Sequence, residues 1–163
     1  MALTCRDALE KNTITLKPDD PVSKAFELIK IRGIRFLPVI ADDGTYVGVF
    51  TSSTLARLLL PQALTINIGS GGMETVGLNN LAFYNLSKED FHQSLAAVKD
   101  EKLKDHLSNP DNIPVVDADC SLMDGILTIY QYKRHAIVIE PGTNKFAGLL
   151  SVNAIMESIF SGL

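Results

Sequence analysis

The second half of this chain replays the first, and that constrains its fold more than any other feature. Residues 14–60 run from a short β-prone segment, Ile14-Thr15-Leu16, through the turn Lys17-Pro18-Asp19-Asp20-Pro21. A helical stretch follows, with Val22, Ala25, Phe26, Leu28 and Ile29 on its apolar positions. The strand Phe36–Ile40, the turn Asp42-Asp43-Gly44 and the strand Tyr46–Phe50 lead through Thr51 into a helix carrying Leu55, Leu58, Leu59 and Leu60. Residues 113–160 repeat the order: Pro114-Val115-Val116, a helix with Leu122, Ile126, Ile129 and Tyr130, then the strand His135–Ile139. The turn Glu140–Asn144, the strand Phe146–Leu150 and a helix with Ile155, Met156, Ile159 and Phe160 complete it. The same distance in sequence separates Val22 from Gly48 and Leu122 from Gly148. Two apolar patterns can coincide by chance, but shared order, turns and spacing together argue for duplication.

The predicted fold is therefore α/β (α+β): two β-α-β-β-α repeats related by pseudo-twofold symmetry, with a helical insertion between them. Each unit alone, at roughly 50 residues, would be marginal and would leave a sheet face uncovered. Packing the two together removes that problem. Residues 1–60 read as the first repeat, 61–102 as an inserted linker, and 103–163 as the second. Within the insertion, Ile66–Gly72 reads as a flexible turn, and Ser87 with Asp90 three residues on resembles a helix start. A helix over Lys88–Leu107 would then carry Phe91, Leu95, Val98 and Leu103 on one face.

Several function classes find no support. The net charge of −4 and the lack of a dense Lys/Arg block argue against nucleic acid as a partner. No apolar run is long enough to span a membrane, and no basic segment leads into an apolar stretch at the N-terminus. A cytoplasmic protein is expected. Cys5 and Cys120 lie far apart in sequence without ligand spacing, and read as reduced, partly buried thiols. His92, His106 and His135 form no metal motif, and no nucleophile–base constellation marks an enzyme. The Gly69–Gly72 run lacks the Lys-Ser/Thr ending of a phosphate loop. The paired carboxylates Asp19-Asp20 and Asp42-Asp43 are explained by turn chemistry.

The doubled pattern resembles the CBS-domain family, named after cystathionine β-synthase, whose members occur as tandem pairs. Asp7-Ala8-Leu9 is similar to the family's lead-in, and Gly33-Ile34-Arg35-Phe36-Leu37-Pro38-Val39-Ile40 to its most recognisable segment. Gly48-Val49-Phe50-Thr51 resembles its Gly-x-x-Thr entry to the last helix. Asp105-His106-Leu107, Arg134–Ile139 and Gly148-Leu149-Leu150-Ser151 are the counterparts in the second half. The resemblance implies a non-catalytic regulatory module that binds AMP, ADP, ATP or S-adenosylmethionine between the repeats. It also implies a homodimer formed through the final helices. Because the sequence stops soon after the last helix, output is expected to pass through an effector protein or a change of oligomeric state.

In the family, a Thr or Ser and an Asp three residues later hold the ribose. Here those places read Thr51 with Thr54, and Ser151 with Ala154, so the Asp is missing twice. A hydrogen bond to a charged group contributes about 1.5–3 kcal/mol, so its loss weakens a nucleotide by roughly ten- to a hundredfold. The expected cleft is lined by Ile14, Thr15, Arg35, Thr51 and Thr54, with Arg134, His135 and Ser151 serving the second. Each residue also has a plainer reading. Thr51 and Ser151 are natural helix N-caps, Arg35 and Arg134 suit surface ion pairs as well as phosphates, and His135 suits a structural contact. The alternative function is a structural or protein-interaction module with degenerate clefts.

Overall fold

A computed structural model describes residues 2–59 and 87–161. The expected glycine-rich turn at 66–72 lies outside the described residues. The first repeat comprises α1 (Val22–Arg32), β1 (Phe36–Ile40), β2 (Tyr46–Thr51) and α2 (Ser52–Leu59). An intervening helix, α3 (Lys88–Val98), precedes the second repeat. That repeat comprises β3 (Val115–Asp117), α4 (Leu122–Tyr132), β4 (Ala136–Ile139), β5 (Phe146–Leu150) and α5 (Val152–Phe160). In both repeats the last two strands pair antiparallel. In the second, β3 adds in parallel beside β4. Among the described residues, no helix is long and apolar enough to cross a membrane.

The first strand expected at Ile14–Leu16 shrinks to a single bridge between Leu16 and Val39. Leu16 donates its N–H to the Pro38 carbonyl at 2.9 Å and accepts from Ile40 N–H at 2.8 Å. The next rung would need an N–H from Pro38, and proline has none, so the ladder stops there. Ile137 stands at the matching place in the second repeat, where its N–H donates to the Pro114 carbonyl at 2.9 Å and the strand continues.

The helix expected over Lys88–Leu107 ends at Val98, and the reason lies in another helix. Proline occupies the N-cap of α1 and supplies no side-chain cap. The orphan N–H groups of Val22 and Ser23 instead donate to the carbonyls of Glu101 and Lys99, both at 2.9 Å. Those carbonyls are available only because the chain leaves helical geometry there. Leu103, expected on the helix face, sits in a 3₁₀ turn (Leu103–Asp105), fully buried among Leu16, Val22, Leu37 and Phe50.

Residues 101–108 thus pack on the first repeat, and residues 3–10 pack on the second. The two segments make matching bonds. Leu103 N–H donates to Asp20 O and Cys5 N–H to Cys120 O; Lys104 N–H donates to Pro18 O and Arg6 N–H to Ala118 O. Ser108 N–H reaches Val49 O at 2.8 Å, as Glu10 N–H reaches Leu149 O at 2.8 Å. Leu122 N–H donates to Leu3 O, mirroring Val22 and Glu101. Gly48 and Gly148 admit the crossing segments: a Cβ at Gly48 would stand 2.8 Å from Leu107 Cδ1, and one at Gly148 would stand 3.2 Å from Leu9. Exposed ion pairs follow the same pattern, with Lys102 and Lys104 on Asp19 and Arg6 on Asp119 and Glu140.

Between the repeats, Phe36, Val49, Ile113, Ile137 and Leu149 form a shared core. The pseudo-twofold axis passes beside it, where Tyr46 N–H donates to Asn144 O at 2.8 Å and Phe146 N–H to Gly44 O at 2.9 Å. Each repeat keeps its own core on the far side of its strands, around Leu37 in one and Val138 in the other.

Leu103 is the side chain by which the crossing segment enters the first core. Leu103→Ala is expected to lower unfolding free energy by about 2–5 kcal/mol in urea denaturation. A loss below about 1 kcal/mol would mean that this segment does not close that core.

Candidate functional site

Two clefts flank the inter-repeat core, one beside each final helix. The structure divides the sequence-predicted residues between them differently from expectation. Thr51, Thr54 and Arg134 line the first cleft, with Ser53, Arg57 and Ser108. Ile14, Arg35 and His135 line the second, which also includes Glu10. The single cleft of Ile14, Thr15, Arg35, Thr51 and Thr54 is therefore corrected. Ile14 and Arg35 belong with the last helix of the other repeat, because each cleft borrows the segment between helix and strand from its neighbour. Thr15 is exposed.

The first cleft holds about 240 Å³. At its floor, Thr51 and Thr54 are almost fully buried at 3% and 5% exposure. Ser108, the last residue of the crossing segment, stands 2.9 Å from both threonine hydroxyls. Thr51 Oγ1 also accepts the Thr54 N–H at 3.4 Å, as an N-cap does. Three hydroxyls thus meet at the N-terminus of α2, where the helix dipole favours negative charge. Arg57 and Arg134 flank them, and Arg134 Nη1 donates to the Asn112 carbonyl at 3.1 Å. Among the described residues, neither arginine has a carboxylate within ion-pair distance, and none lines the cleft. A groove of about 530 Å³ adjoins it, sharing Leu107, Ser108 and Asn109 and bringing Tyr46, Val49, Ile113 and Val115. One side of this region is cationic and hydroxyl-rich, and the other sets apolar side chains beside Lys104, Asp105 and Asn144.

The second cleft, of about 380 Å³, differs at one decisive position. Glu10 stands where the other crossing segment has Ser108, and the Ser151 hydroxyl donates to its carboxylate. Ser151 Oγ also caps α5 by accepting the Ala154 N–H at 3.1 Å. The serine is fully engaged, and Ala154 offers no side-chain polar group. His135 lies edge-on to Phe36, with ring centroids 5.7 Å apart, so it has a packing role across the two repeats.

Glu10, Arg57 and Ser108 were missed from sequence. Glu10 and Ser108 each follow immediately on the matched lead-ins Asp7-Ala8-Leu9 and Asp105-His106-Leu107, so extending that alignment by one residue would have found them. Arg57 lies one turn beyond Thr54 on α2, a position that a helical wheel places near the same face.

A family model described as the CBS domain matches residues 5–61. Over 53 residues the chain is 38% identical to a homoserine O-acetyltransferase of Methanohalobium evestigatum, a match covering 32% of this chain. It is 33% identical over 55 residues, 34% of its length, to an uncharacterized protein of Methanocaldococcus jannaschii. These matches span only 11% and 33% of the two relatives' lengths. Among solved structures, CBSX2 of Arabidopsis thaliana in complex with AMP is 20% identical, with 98% of both chains covered and a TM-score of 0.64. The CBS domain pair of protein MJ0100, in complex with 5′-methylthioadenosine and S-adenosyl-L-methionine, is 14% identical. It covers 99% of this chain and 98% of that one, with a TM-score of 0.57. The matched segment contains the whole first repeat, and the second repeats its strand pairing, crossing segment and helix cap: the chain carries a CBS domain over residues 5–61 and has the fold of a CBS pair.

Proposed function

We propose that this chain is a non-catalytic regulatory module that binds a phosphate-bearing adenosine ligand (AMP, ADP or ATP) in its first cleft and acts on a partner protein. The carrying observation is the pair Arg57 and Arg134, set beside three hydroxyls and a helix N-terminus with no lining carboxylate. That arrangement suits an anion. It favours a nucleotide over S-adenosylmethionine, whose sulfonium carries positive charge. The adjoining groove, with Tyr46, Val49, Ile113 and Val115, offers apolar surface for a purine. The AMP-bound neighbour supports the same ligand class. The second cleft is occupied by the Glu10–Ser151 contact, and its carboxylate opposes a phosphate.

Arg134→Ala is expected to weaken AMP about ten- to a hundredfold in calorimetry, the value of one charge-assisted hydrogen bond. It should leave adenosine nearly unaffected, and Ser151→Ala should leave both unchanged. Thr54→Asp restores the acid that the family uses for ribose and should tighten adenosine. If no nucleotide binds either the native protein or Thr54→Asp, the protein-interaction reading replaces this one.

The same reading includes a homodimer through the second repeat. Met123 and Tyr130 on α4 are 70% and 75% exposed, and Leu127, Val152, Met156 and Ile159 are exposed beside them. The matching places in the first repeat hold Ser23, Lys30, Glu27, Ser52, Ala56 and Leu59, and there α3 packs against α2. Light scattering at micromolar concentration is expected to give a dimer. Leu127→Glu combined with Met156→Glu should convert it to a monomer, and a native monomer would remove the proposal.

A further inference from the structure

We propose that Cys5 and Cys120 are a redox-active dithiol, which low-molecular-weight disulfides such as oxidised glutathione convert to an intrachain disulfide. The two residues are far apart in sequence, and the sequence alone reads them as reduced, partly buried thiols. The fold sets their sulfurs 3.2 Å apart, both as free thiols. Their backbones are fixed against each other, since Cys5 N–H donates to the Cys120 carbonyl at 3.0 Å. Closing the sulfurs to a bond of about 2 Å needs only a small side-chain adjustment. The pseudo-equivalent contact in the first repeat joins Leu103 to Asp20, so the device exists on one side only.

The two thiols differ in access, which sets the order of events. Cys120 is half-buried, whereas Cys5 is fully enclosed, wedged against Gly125 in a space where a Cβ on that glycine would lie 2.7 Å from its sulfur. Burial, reinforced by the hydrogen bond with Cys120, pushes the Cys5 thiol up to about 12, so it stays protonated at neutral pH. Cys120 as thiolate attacks one sulfur of the glutathione disulfide, forming a mixed disulfide and expelling one glutathione thiolate. The Cys5 sulfur then attacks the Cys120 sulfur as its proton passes to the second departing glutathione. The glutathione disulfide takes up two electrons and, with the two thiol protons, leaves as two molecules of reduced glutathione.

The bond would fasten residues 3–10 to the second repeat and so hold Glu10 on Ser151. The cross-link joins positions separated by 115 residues, a span over which a disulfide strongly restricts the unfolded chain.

The test uses the full chain, incubated with oxidised glutathione, alkylated and digested with trypsin without reduction. The expected product has no covalent link between chains, lacks two hydrogens, and yields the peptide Met1–Arg6 joined to Asp105–Lys133. Its Tm should rise by about 5 °C or more over the reduced protein and return with dithiothreitol. Cys5→Ala should stop at one glutathione on Cys120, and Cys120→Ser should not react. Native protein that retains glutathione adducts without the joined peptide, or that cross-links only between chains, overturns the proposal. Nucleotide binding is not part of this readout, so the two proposals stand or fall separately.

Discussion

The crossing of two short backbone segments is the constraint on which the rest of this structure depends. In each repeat the first helix begins with an N–H that its own repeat does not satisfy, and a strand edge lacks a partner. Residues 99–108 satisfy Val22 and Ser23 and pair with Val49; residues 3–10 satisfy Leu122 and pair with Leu149. Buried backbone groups left unpaired cost roughly 1–3 kcal/mol each, so neither repeat would keep its edges without the other's chain. Leu103 and the pair Cys5 and Ala8 carry this exchange into the two cores.

The same crossing decides what each cleft can hold. The segment ends beside a helix N-cap, and its last residue faces that cap. Where the residue is Ser108, hydroxyls cluster and, among the described residues, the charged side chains lining the cleft are Arg57 and Arg134. Where it is Glu10, the cap hydroxyl is already engaged by a carboxylate. Two sites with one architecture differ at this position, as they do at Thr54 and Ala154. The pseudo-symmetry of the backbone therefore does not extend to its chemistry.

The β-α-β-β-α order was legible twice in the sequence because it is written in local signals. Apolar periodicity, the Asp-Gly and Pro-Gly turns and the N-cap residues each act within a few positions. What was not legible depends on contacts between distant parts. The arrest of the first strand requires knowing that the Pro38 nitrogen faces Leu16's neighbour. The end of α3 at Val98 requires knowing that α1 needs the carbonyls of Lys99 and Glu101. Pattern reading extended that helix to Leu107 because Leu103 fits its apolar face, yet a turn buries the same leucine. The grouping of Ile14 and Arg35 with Thr51 failed for a related reason: sequence proximity assigns them to one repeat, and the clefts are built from both. Helix N-caps at Thr51 and Ser151 were readable in type, while the partner at Ser151 was not.

The crossing also fixes the order in which a growing chain can be completed. Residues 3–10 leave the ribosome well before their partners at 118–122 and Leu149. Leu16, Val22 and Phe50 likewise wait for Leu103 before their core closes. For most of its synthesis the first repeat exists with an open edge, and long-range pairings of this kind slow folding. Two separately folded halves joined by a tether could not describe this protein. Residues 3–10 cannot dock before residues 118–149 are made, so a nascent chain remains topologically unfinished until that stretch has emerged.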